Sequence, residues 1–579
     1  MGIVELDSFI RKNVPNGFIP VDIQEEIRKA SGPPVIVIDL ISLCVPISEQ
    51  DIKGLFCGGR FNVAYSTIDA FFGKLVSLGA KLVFFYDGPM DSSKYKKWLR
   101  LQDEIYQKHL RLIDSVDQDK DIDYLMRHHK APHNFLYPLK YLALKHGTVV
   151  LPMAHECHQE LASYASKVGA LAVIASDTDF LIYEGDWHLW SSNDTDITHL
   201  KTKELNRKAL VSHLGLDFKQ MPLFGTLAGN SIIELKRLKK FLNSLGTNEE
   251  KFLRLAEFVQ EQSVPPEGNG GYSILKRVFG YKEHNKKLSN RQKRSRFEKC
   301  LQFYQTNCVT PNLNPKRTAV QAFLLSQVTP LFYQIWQGQS IDVSLGFIDM
   351  RGKDFGPKHN QLLVTLILRM AGIIRYERRG KRGNSTCQFL TKLKDGKKHK
   401  EHYLQVQFPK NIQPPPLDKL MSLEPDIHER YVITKYQLCG WLVSDKLEPL
   451  ALKWIPDKFL VTVLTLCYLV DMQVIKVFEA DLFLKMAYDV VYNTYDMHGV
   501  TYPQRLEGRP FRLAFLYPRV YVLVASAVRL VGLHGKDFRD DPIFDGVLFH
   551  NRYESWREQQ KTIELEPIKE WRLYDFETV

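Results

Sequence analysis

The chain has 579 residues, of which 44% are hydrophobic and 25% charged, a composition typical of globular proteins with two or three domains. Its formal net charge of +12 suits a polyanionic partner such as nucleic acid, although a merely soluble basic surface would carry the same charge. The eight cysteines form no C-x-x-C pair, which argues against a zinc ribbon and against a dense disulfide framework.

The amino end and the apolar runs predict the compartment. Glu5 and Asp7 stand where a signal peptide would be apolar. The longest apolar run, Phe459–Val470, has twelve residues, which is too short for a membrane-spanning helix, and we predict a core helix there. We therefore expect an intracellular protein of the nucleus, the cytoplasm or both, with no membrane partner.

The first 240 residues alternate between strand-like and helix-like patterns. Short β-branched runs predict strands, and apolar residues at helical spacing predict helices between them. The predicted strands are 35–39, 81–87, 148–153 and 171–177, and the predicted helices are 62–80, 135–147 and 158–170. This alternation predicts an α/β fold, in which a mostly parallel sheet is flanked by helices on both faces.

Aspartates close three of the predicted strands. Asp39, Asp87 and the pair Asp177 and Asp179 follow apolar runs, and Glu156 and Glu160 lie near the start of the helix 158–170. A single strand-end aspartate is usually a helix cap. Three at the carboxyl edge of one sheet indicate instead a site for Mg²⁺ or Mn²⁺, which take oxygen ligands and act in pairs about 3.5–4 Å apart on phosphodiesters.

Six short motifs occur in the order found in one known superfamily. They are "MGIVELDSFI", "VIVIDL", "FYDGPMD", "ECHQELASYA", "ASDTDFLIY" and "LFGTLAGN". In this order they resemble the flap-endonuclease/XPG superfamily of PIN-like nucleases over roughly residues 1–235. The stretches "GLFCGGRFN" and "HQE" are most similar to its divergent branch of asteroid proteins and constitutive coactivators of PPAR-gamma.

The resemblance implies a metal-binding role for the four aspartates. The family's two glutamates are spaced by two residues, whereas Glu156 and Glu160 are spaced by four, so His158 is an alternative occupant of one glutamate position. Where the family has a further aspartate, this chain has Ser231, which weakens the second metal site. The resemblance also implies catalytic roles for Lys94 and Arg100, for which a solvated helix face is the alternative.

Basic stretches mark the second half of the chain. The stretch 276–299, here called the basic stretch, has ten basic and two acidic residues with aromatic residues between them. Three interpretations are open: a region that contacts nucleic acid, a solvated linker, or a nuclear import signal. A helix ending at Gly372 is followed by a predicted basic hairpin, similar in outline to a winged-helix wing, although a solvated hairpin is the alternative. The predicted nucleic-acid-binding residues are Lys286, Lys287, Arg291, Lys293, Arg294, Arg296, Arg378, Arg379, Lys381 and Arg382.

These patterns predict five regions. They are an XPG/PIN-like domain at 1–260, a basic linker at 261–315, an α+β module with the hairpin at 316–405, a proline-rich connector at 406–420 and a mainly helical domain at 421–579.

Three functions remain open from the sequence. The first is an RNA-binding regulatory protein on an XPG/PIN-like scaffold with weak or lost nuclease activity, RNA being chosen over structured DNA because of the branch that the chain resembles. The second is an active Mg²⁺-dependent structure-specific nuclease. The third is a protein-interaction scaffold, such as a transcriptional or post-transcriptional coregulator, whose helical C-terminal region binds protein partners.

Overall fold

A computed structural model gives the fold of the chain. It describes residues 2–88, 95–132, 136–152, 156–230, 232–233, 235–246, 250–262, 278, 290–306, 319–327, 329–343, 347, 349–351, 356–380, 383, 385–392 and 399–559. Two compact units are present. The first unit comprises residues 1–47, 67–96 and 143–315, and the second comprises 48–66, 97–142 and 316–579. The contiguous domain boundaries expected from the sequence stay a prediction.

Seven strands form the sheet of the first unit. They are β1 (Phe18–Asp22), β2 (Val35–Asp39), β3 (Lys81–Phe85), β4 (Gly147–Val150), β5 (Ala172–Ala175), β6 (His188–Ser191) and β7 (Lys201–Leu205). The order across the sheet is β1-β7-β6-β5-β2-β3-β4. The five strands from β6 to β4 are mutually parallel, and β7 runs antiparallel to both of its neighbours. The predicted mostly parallel sheet is confirmed.

Helices flank this sheet and continue through the chain. In the first half they are α1 (Leu6–Asn13), α2 (Ile23–Lys29), α3 (Cys44–Glu49), α4 (Ile52–Phe56), α5 (Phe61–Ser77), α6 (Tyr95–Asp117), α7 (Ile122–His128), α8 (Leu136–His146), α9 (Cys157–Lys167), α10 (Arg207–His213), α11 (Met221–Ala228), α12 (Leu235–Leu245), α13 (Lys251–Gln260) and α14 (Asn290–Phe303). In the second half they are α15 (Ala319–Ser326), α16 (Pro330–Gln337), α17 (Gly356–Ile374), α18 (Leu417–Leu420), α19 (Pro425–Val443), α20 (Asp457–Asp471), α21 (Val477–Tyr492), α22 (Gly508–Leu530) and α23 (Gly546–Gln559).

Local sequence explains why α9 begins where it does. Glu156 occupies the position before the helix, and its carboxylate accepts a hydrogen bond from the backbone N–H of His158 at 3.2 Å. Such a cap satisfies a backbone donor that the first turn leaves unpaired. Glu160 follows in the first turn, where the helix dipole favours negative charge. The two glutamates therefore fix the start of α9 next to the sheet edge.

The second unit is mainly helical, as predicted, and contains a small sheet. The strands β8 (Ile341–Asp342), β9 (Thr386–Lys392) and β10 (His399–Gln405) lie in the order β10-β9-β8, with β9 and β10 forming an antiparallel hairpin. The predicted position of the basic residues in this hairpin is wrong. Helix α17 extends to Ile374, because Ile373 and Ile374 are buried with its apolar face, and the basic residues that follow precede β9 rather than form the hairpin turn.

Two apolar helices form the centre of the second unit. The run predicted as a core helix lies in α20, which is buried over most of its length. Among the described helices, α22 is long and apolar enough to cross a membrane, and 78% of its most apolar stretch is buried inside the protein. Its Arg512 forms ion pairs with Asp117 and Asp349, so this helix also carries a buried charge network.

Candidate functional site

Three neighbouring strands bring the predicted carboxylates to one edge of the sheet. Strand β2 ends at Asp39, β3 is followed by Asp87, and β5 is followed by Asp177 and Asp179. The carboxyl ends of parallel strands meet at the same edge, which is where sites of α/β sheets form. Strand β4 leads to α9 at this edge, so that Glu156 begins the helix next to the aspartates.

Burial distinguishes the carboxylates from one another. Asp39, Asp177, Asp179 and Glu160 are buried, whereas Asp87 is exposed. Asp177 also caps a short 3₁₀ helix, because its side chain accepts a hydrogen bond from the backbone N–H of Asp179 at 2.9 Å. Capping thus accounts for part of the role of Asp177. It does not compensate the negative charge of the buried acids, which requires a nearby positive charge.

His158 provides that charge from the first turn of α9. Its Nδ1 lies 3.6 Å from Oδ2 of Asp177, and its Nε2 lies 3.9 Å from Oδ2 of Asp39. The ring packs against Phe180, with 5.0 Å between the ring centroids. The imidazole is therefore placed between two of the aspartates that the sequence predicts as metal ligands.

The surroundings of His158 favour its charged form. Burial alone would lower the pKa of His158, but the charges of Asp177, Glu156, Asp39 and Asp87 outweigh it and raise the pKa to about 9. Burial would raise the pKa of Asp177, and contacts with His158 and other groups hold it below its usual value. At neutral pH the site thus contains an imidazolium next to an ionised aspartate.

The pKa values of two other aspartates, Asp39 and Asp179, are raised rather than lowered. Burial is the main cause that raises the pKa of Asp39 to about 7, and the charges of Asp87 and Asp177 add to it. The pKa of Asp179 is also raised to about 7, first by burial and then by the charge of Asp177. One imidazolium therefore does not balance the whole cluster, and these two acids are partly protonated at neutral pH.

Tyr304 reaches the site from the residue that follows α14. Its hydroxyl donates a hydrogen bond to Oδ1 of Asp179 at 2.7 Å and accepts one from the side-chain amide of Asn230 at 2.8 Å. Neither residue was singled out from the sequence as a site residue. The only sequence signal was indirect, since Asn230 belongs to the "LAGN" motif that precedes Ser231.

These contacts decide which metal the residues fit. His158, Asp177 and Asp179 each offer a ligand atom, and these atoms lie within 4.8 Å of one another. Mg²⁺ takes oxygen ligands, and a pair of Mg²⁺ ions does not fit a cluster that has an imidazolium among its carboxylates. A single ion that accepts imidazole as well as carboxylate ligands fits better, and its binding would require His158 to give up a proton.

Gly2 and Arg207 are further residues near the site that the sequence did not reveal. A Cβ atom on Gly2 would lie 2.2 Å from Oδ1 of Asp177 and 2.7 Å from the backbone nitrogen of Asp179, so a larger residue would force the backbone there to move. The buried guanidinium of Arg207 donates hydrogen bonds of 2.6 Å to the carbonyl oxygens of Tyr183, Gly185 and Trp187. Arg207 therefore fixes the segment that follows Asp179.

The predicted basic residues lie in several places. Lys94, Ser231, Lys286, Lys287, Lys381 and Arg382 lie outside the described residues. The backbone of Arg291, Lys293, Arg294 and Arg296 is helical in α14. Arg100 is exposed on α6, in the part of this helix that belongs to the second unit. Their proposed roles stay predictions.

The arginines before the hairpin contact aromatic rings. The guanidinium of Arg378 lies 3.9 Å from the centroid of the Trp336 ring and donates a hydrogen bond to the Trp336 carbonyl at 3.2 Å. The guanidinium of Arg379 lies 4.1 Å from the centroid of Tyr376. At least Arg378 is thus engaged within the protein, and its proposed contact with nucleic acid stays a prediction.

Comparisons with known proteins agree with the motifs. A family model described as a FAM120A-like domain matches residues 214–308, which include Asn230 and Tyr304. The constitutive coactivator of peroxisome proliferator-activated receptor gamma of Bos taurus is 28% identical over 246 residues, covering 40% of this chain and 33% of that protein. The constitutive coactivator of PPAR-gamma-like protein 1 homolog of Xenopus tropicalis is 19% identical over 335 residues, covering 53% of this chain and 32% of that protein. The chain thus spans about a third of the length of these relatives.

Two solved structures are more distant neighbours. Human GEN1 in complex with Holliday junction DNA is 14% identical, with 58% of this chain and 79% of that chain covered and a TM-score of 0.30. The catalytic core of Rad2 is 14% identical, with 54% and 90% covered and a TM-score of 0.26. These values support no inference about activity. The chain is therefore similar, over part of its length, to the constitutive coactivators of PPAR-gamma, and its first unit has the mostly parallel sheet that the sequence predicts.

Proposed function

We propose that the protein is an RNA-binding regulatory protein on an XPG/PIN-like scaffold whose phosphodiester-cleaving activity is weak or lost. One observation carries this proposal, namely the imidazole of His158 between Asp177 and Asp39, at 3.6 and 3.9 Å. The protein acts inside the cell, in the nucleus or the cytoplasm.

The loss of activity follows from charge. Two-metal cleavage requires two divalent ions that bind the attacking and the leaving oxygen of the same phosphodiester. In this chain a side chain that is cationic at neutral pH already lies among the aspartates, so a divalent ion has to enter against a positive charge or displace a proton. The His158 imidazolium stabilises the acid cluster by its charge. Unlike a metal ion, it has no coordination position at which water or phosphate could bind.

The binding of nucleic acid is supported by charge on described helices. On α12, Leu238, Phe241 and Leu242 are buried, while the opposite face has four exposed cations, Lys236, Arg237, Lys239 and Lys240. Such a row of cations binds phosphates without regard to sequence. The basic stretch adds ten basic residues, but its Phe297 is only 2% exposed, so this ring is unable to stack on a base.

Binding is tested with a charge-reversal pair. Lys239→Glu combined with Lys240→Glu should weaken the affinity for labelled single-stranded RNA and make it less dependent on salt, as measured by fluorescence anisotropy at several salt concentrations. The matched control combines Lys167→Glu with Lys208→Glu, which reverses two exposed lysines on other helices. Equal losses in both double variants would show that only net charge matters and would argue against a specific RNA surface.

Activity is tested on the same protein. Flap, hairpin and single-stranded substrates of RNA and DNA are incubated with Mg²⁺ or Mn²⁺, with Asp177→Asn as the control. We expect equal, background cleavage by both proteins. Metal-dependent cleavage that disappears in Asp177→Asn would instead establish the second candidate, an active nuclease. That candidate is favoured by the ligand atoms of His158, Asp177 and Asp179, which lie within 4.8 Å of one another.

A role in regulation is supported by the relatives. The homologous proteins are named as coactivators, and coactivators act through protein partners. We therefore propose that the helical second unit binds a protein partner, in addition to the nucleic-acid surface of the first unit.

A further inference from the structure

The chain segment at the end of α14 is fixed to the helix that carries His158. The side-chain amide of Gln159 donates hydrogen bonds to the carbonyl oxygens of Gln302 at 2.9 Å and Gln305 at 3.0 Å. The hydroxyl of Ser163 donates to the carbonyl oxygen of Thr306 at 2.9 Å. Residues 302–306, here called the hook, are therefore held against α9 by side chains that have no other role in the site described above.

The hook places one side chain on the carboxylate cluster. Tyr304 is 2% exposed and Asp179 is 1% exposed, and the Tyr304 hydroxyl donates its proton to Oδ1 of Asp179. The 2.7 Å between the two oxygens is an ordinary hydrogen-bond distance, and the bond satisfies one oxygen of a buried carboxyl group. Oδ1 of Asp179 is thus occupied by the Tyr304 hydroxyl.

Asn230 orients the Tyr304 hydroxyl. The Asn230 amide donates to the Tyr304 oxygen at 2.8 Å, which leaves the hydroxyl proton to point at Asp179. The Asn230 carbonyl oxygen in turn accepts the backbone N–H groups of Ile232 and Ile233 at 2.9 and 3.0 Å, which fixes the amide in this orientation. The hydrogen-bond chain therefore runs from the backbone through Asn230 and Tyr304 to Asp179.

Packing holds the ring in place as well. The Tyr304 ring lies 5.6 Å from the Tyr183 ring and 4.9 Å from the Phe303 ring, measured between centroids. A Cβ atom on Gly225 of α11 would lie 3.0 Å from the Tyr304 ring, so the helix approaches the ring as closely as a glycine permits. A ring that is packed on several sides and hydrogen-bonded at its end is a built contact rather than a surface residue that happens to touch the site.

We propose that the hook is an autoinhibitory cover of the carboxylate cluster, in which Tyr304 takes the Asp179 oxygen that a divalent ion would need. The proposal rests on the proposed function, because it explains how a nuclease-like site is kept from binding metal. The Tyr304 hydrogen bond is a second barrier to metal binding, in addition to the charge of His158. It comes from a residue 125 positions after Asp179 in the sequence. Displacing the hook should therefore make Asp179 available as a ligand.

The test removes one hydroxyl. In Tyr304→Phe the ring keeps its packing and Asp179 loses its donor. We expect Mn²⁺ to bind about tenfold more tightly than to the unaltered chain, because the ion no longer has to displace one hydrogen bond from Oδ1 of Asp179, as measured by the free Mn²⁺ signal in electron paramagnetic resonance titrations. A weaker affinity in Tyr304→Phe would show that the hydroxyl supports Asp179 as a ligand, and would overturn the proposal. The matched control is Tyr183→Phe, which removes a buried hydroxyl from the same aromatic cluster; among the described residues that hydroxyl has no hydrogen-bond partner. The Mn²⁺ affinity of this control should not change.

A second variant loosens the hook without changing the core. Gln159→Ala removes two of the three hydrogen bonds that hold the hook, keeps the bond from Ser163 and leaves Tyr304 intact, and it should also increase the affinity for Mn²⁺. Unchanged affinity in both Tyr304→Phe and Gln159→Ala, or an equal gain in Tyr183→Phe, would overturn the proposal. That failure is distinct from failure of the proposed function, which would show itself as metal-dependent cleavage by the unaltered chain.

Discussion

Replacing His158 by glutamine should destabilise the protein in a pH-dependent way. Glutamine is of similar size and uncharged, so the change removes mainly the cation. A pKa of about 9 in the folded protein, compared with an ordinary value of 6.5, corresponds to about 3 kcal/mol of stabilisation. Because the folded pKa is raised, this contribution is fully present below pH 6.5 and is lost as the pH rises through 9. At pH 7.5 about 2 kcal/mol remains.

The assay is thermal unfolding at several pH values. For a unit of this size about 2 kcal/mol corresponds to a decrease in apparent Tm of roughly 4–8 °C at pH 7.5, with a larger decrease at pH 6 and almost none at pH 10. The control is His199→Gln, because His199 pairs with Asp196 at 2.7 Å on the exposed surface, where such pairs contribute little. A decrease that is the same at pH 6 and pH 10 would refute the role of His158 as an internal cation.

Three further outcomes are expected. Asp39→Asn should raise the apparent Tm at pH 8 and not at pH 4. The pKa of Asp39 is raised from 3.8 to about 7 on folding, so its ionisation destabilises the folded protein as the pH rises above 3.8 and through about 7, whereas asparagine does not ionise. A lower Tm at pH 8 would contradict this. Arg207→Met leaves three carbonyl oxygens of the 183–187 segment without their donor, two of them buried and one partly buried. This loss should cost about 3 kcal/mol and lower the Tm by roughly 6–12 °C, and a change below about 2 °C would count against it. Neutralising together the six predicted nucleic-acid-binding cations between 286 and 296 should reduce the slope of log K against log[salt] for single-stranded RNA by up to about 4, whereas an unchanged slope would mark a spacer or an import signal.

Buried parallel strands were predictable because their sequences are unusual. Strands β2, β3 and β5 lie in the interior of the sheet and have continuous apolar runs, which the sequence separates clearly from helices. Strands β1, β6 and β7 were not predicted. The run "KTKEL" of β7 contains three charged residues of types that are depleted in strands, and its pairing with β1 and β6 identifies it as a strand.

The carboxylates were predictable for the same reason, and their partners were not. An aspartate directly after a buried strand has a fixed place at the sheet edge, whatever the rest of the chain does. Tyr304 is 125 positions from Asp179 in the sequence, and its contact depends on how α14 packs on α9 and α11. The sequence left His158 as an alternative to a glutamate, and only the positions of Asp39 and Asp177 show that its ring lies between them.

Anomalous diffraction from crystals of the unaltered protein in millimolar Mn²⁺ tests the central claim most directly. The claim is that His158 and Tyr304 together keep the carboxylate edge from holding the pair of ions that phosphodiester cleavage needs. We predict no pair of Mn²⁺ peaks at this edge, with the imidazole still between Asp39 and Asp177 and the Tyr304 hydroxyl still on Asp179. Two Mn²⁺ ions about 3.5–4 Å apart, bound by these aspartates with His158 turned away, would contradict the account.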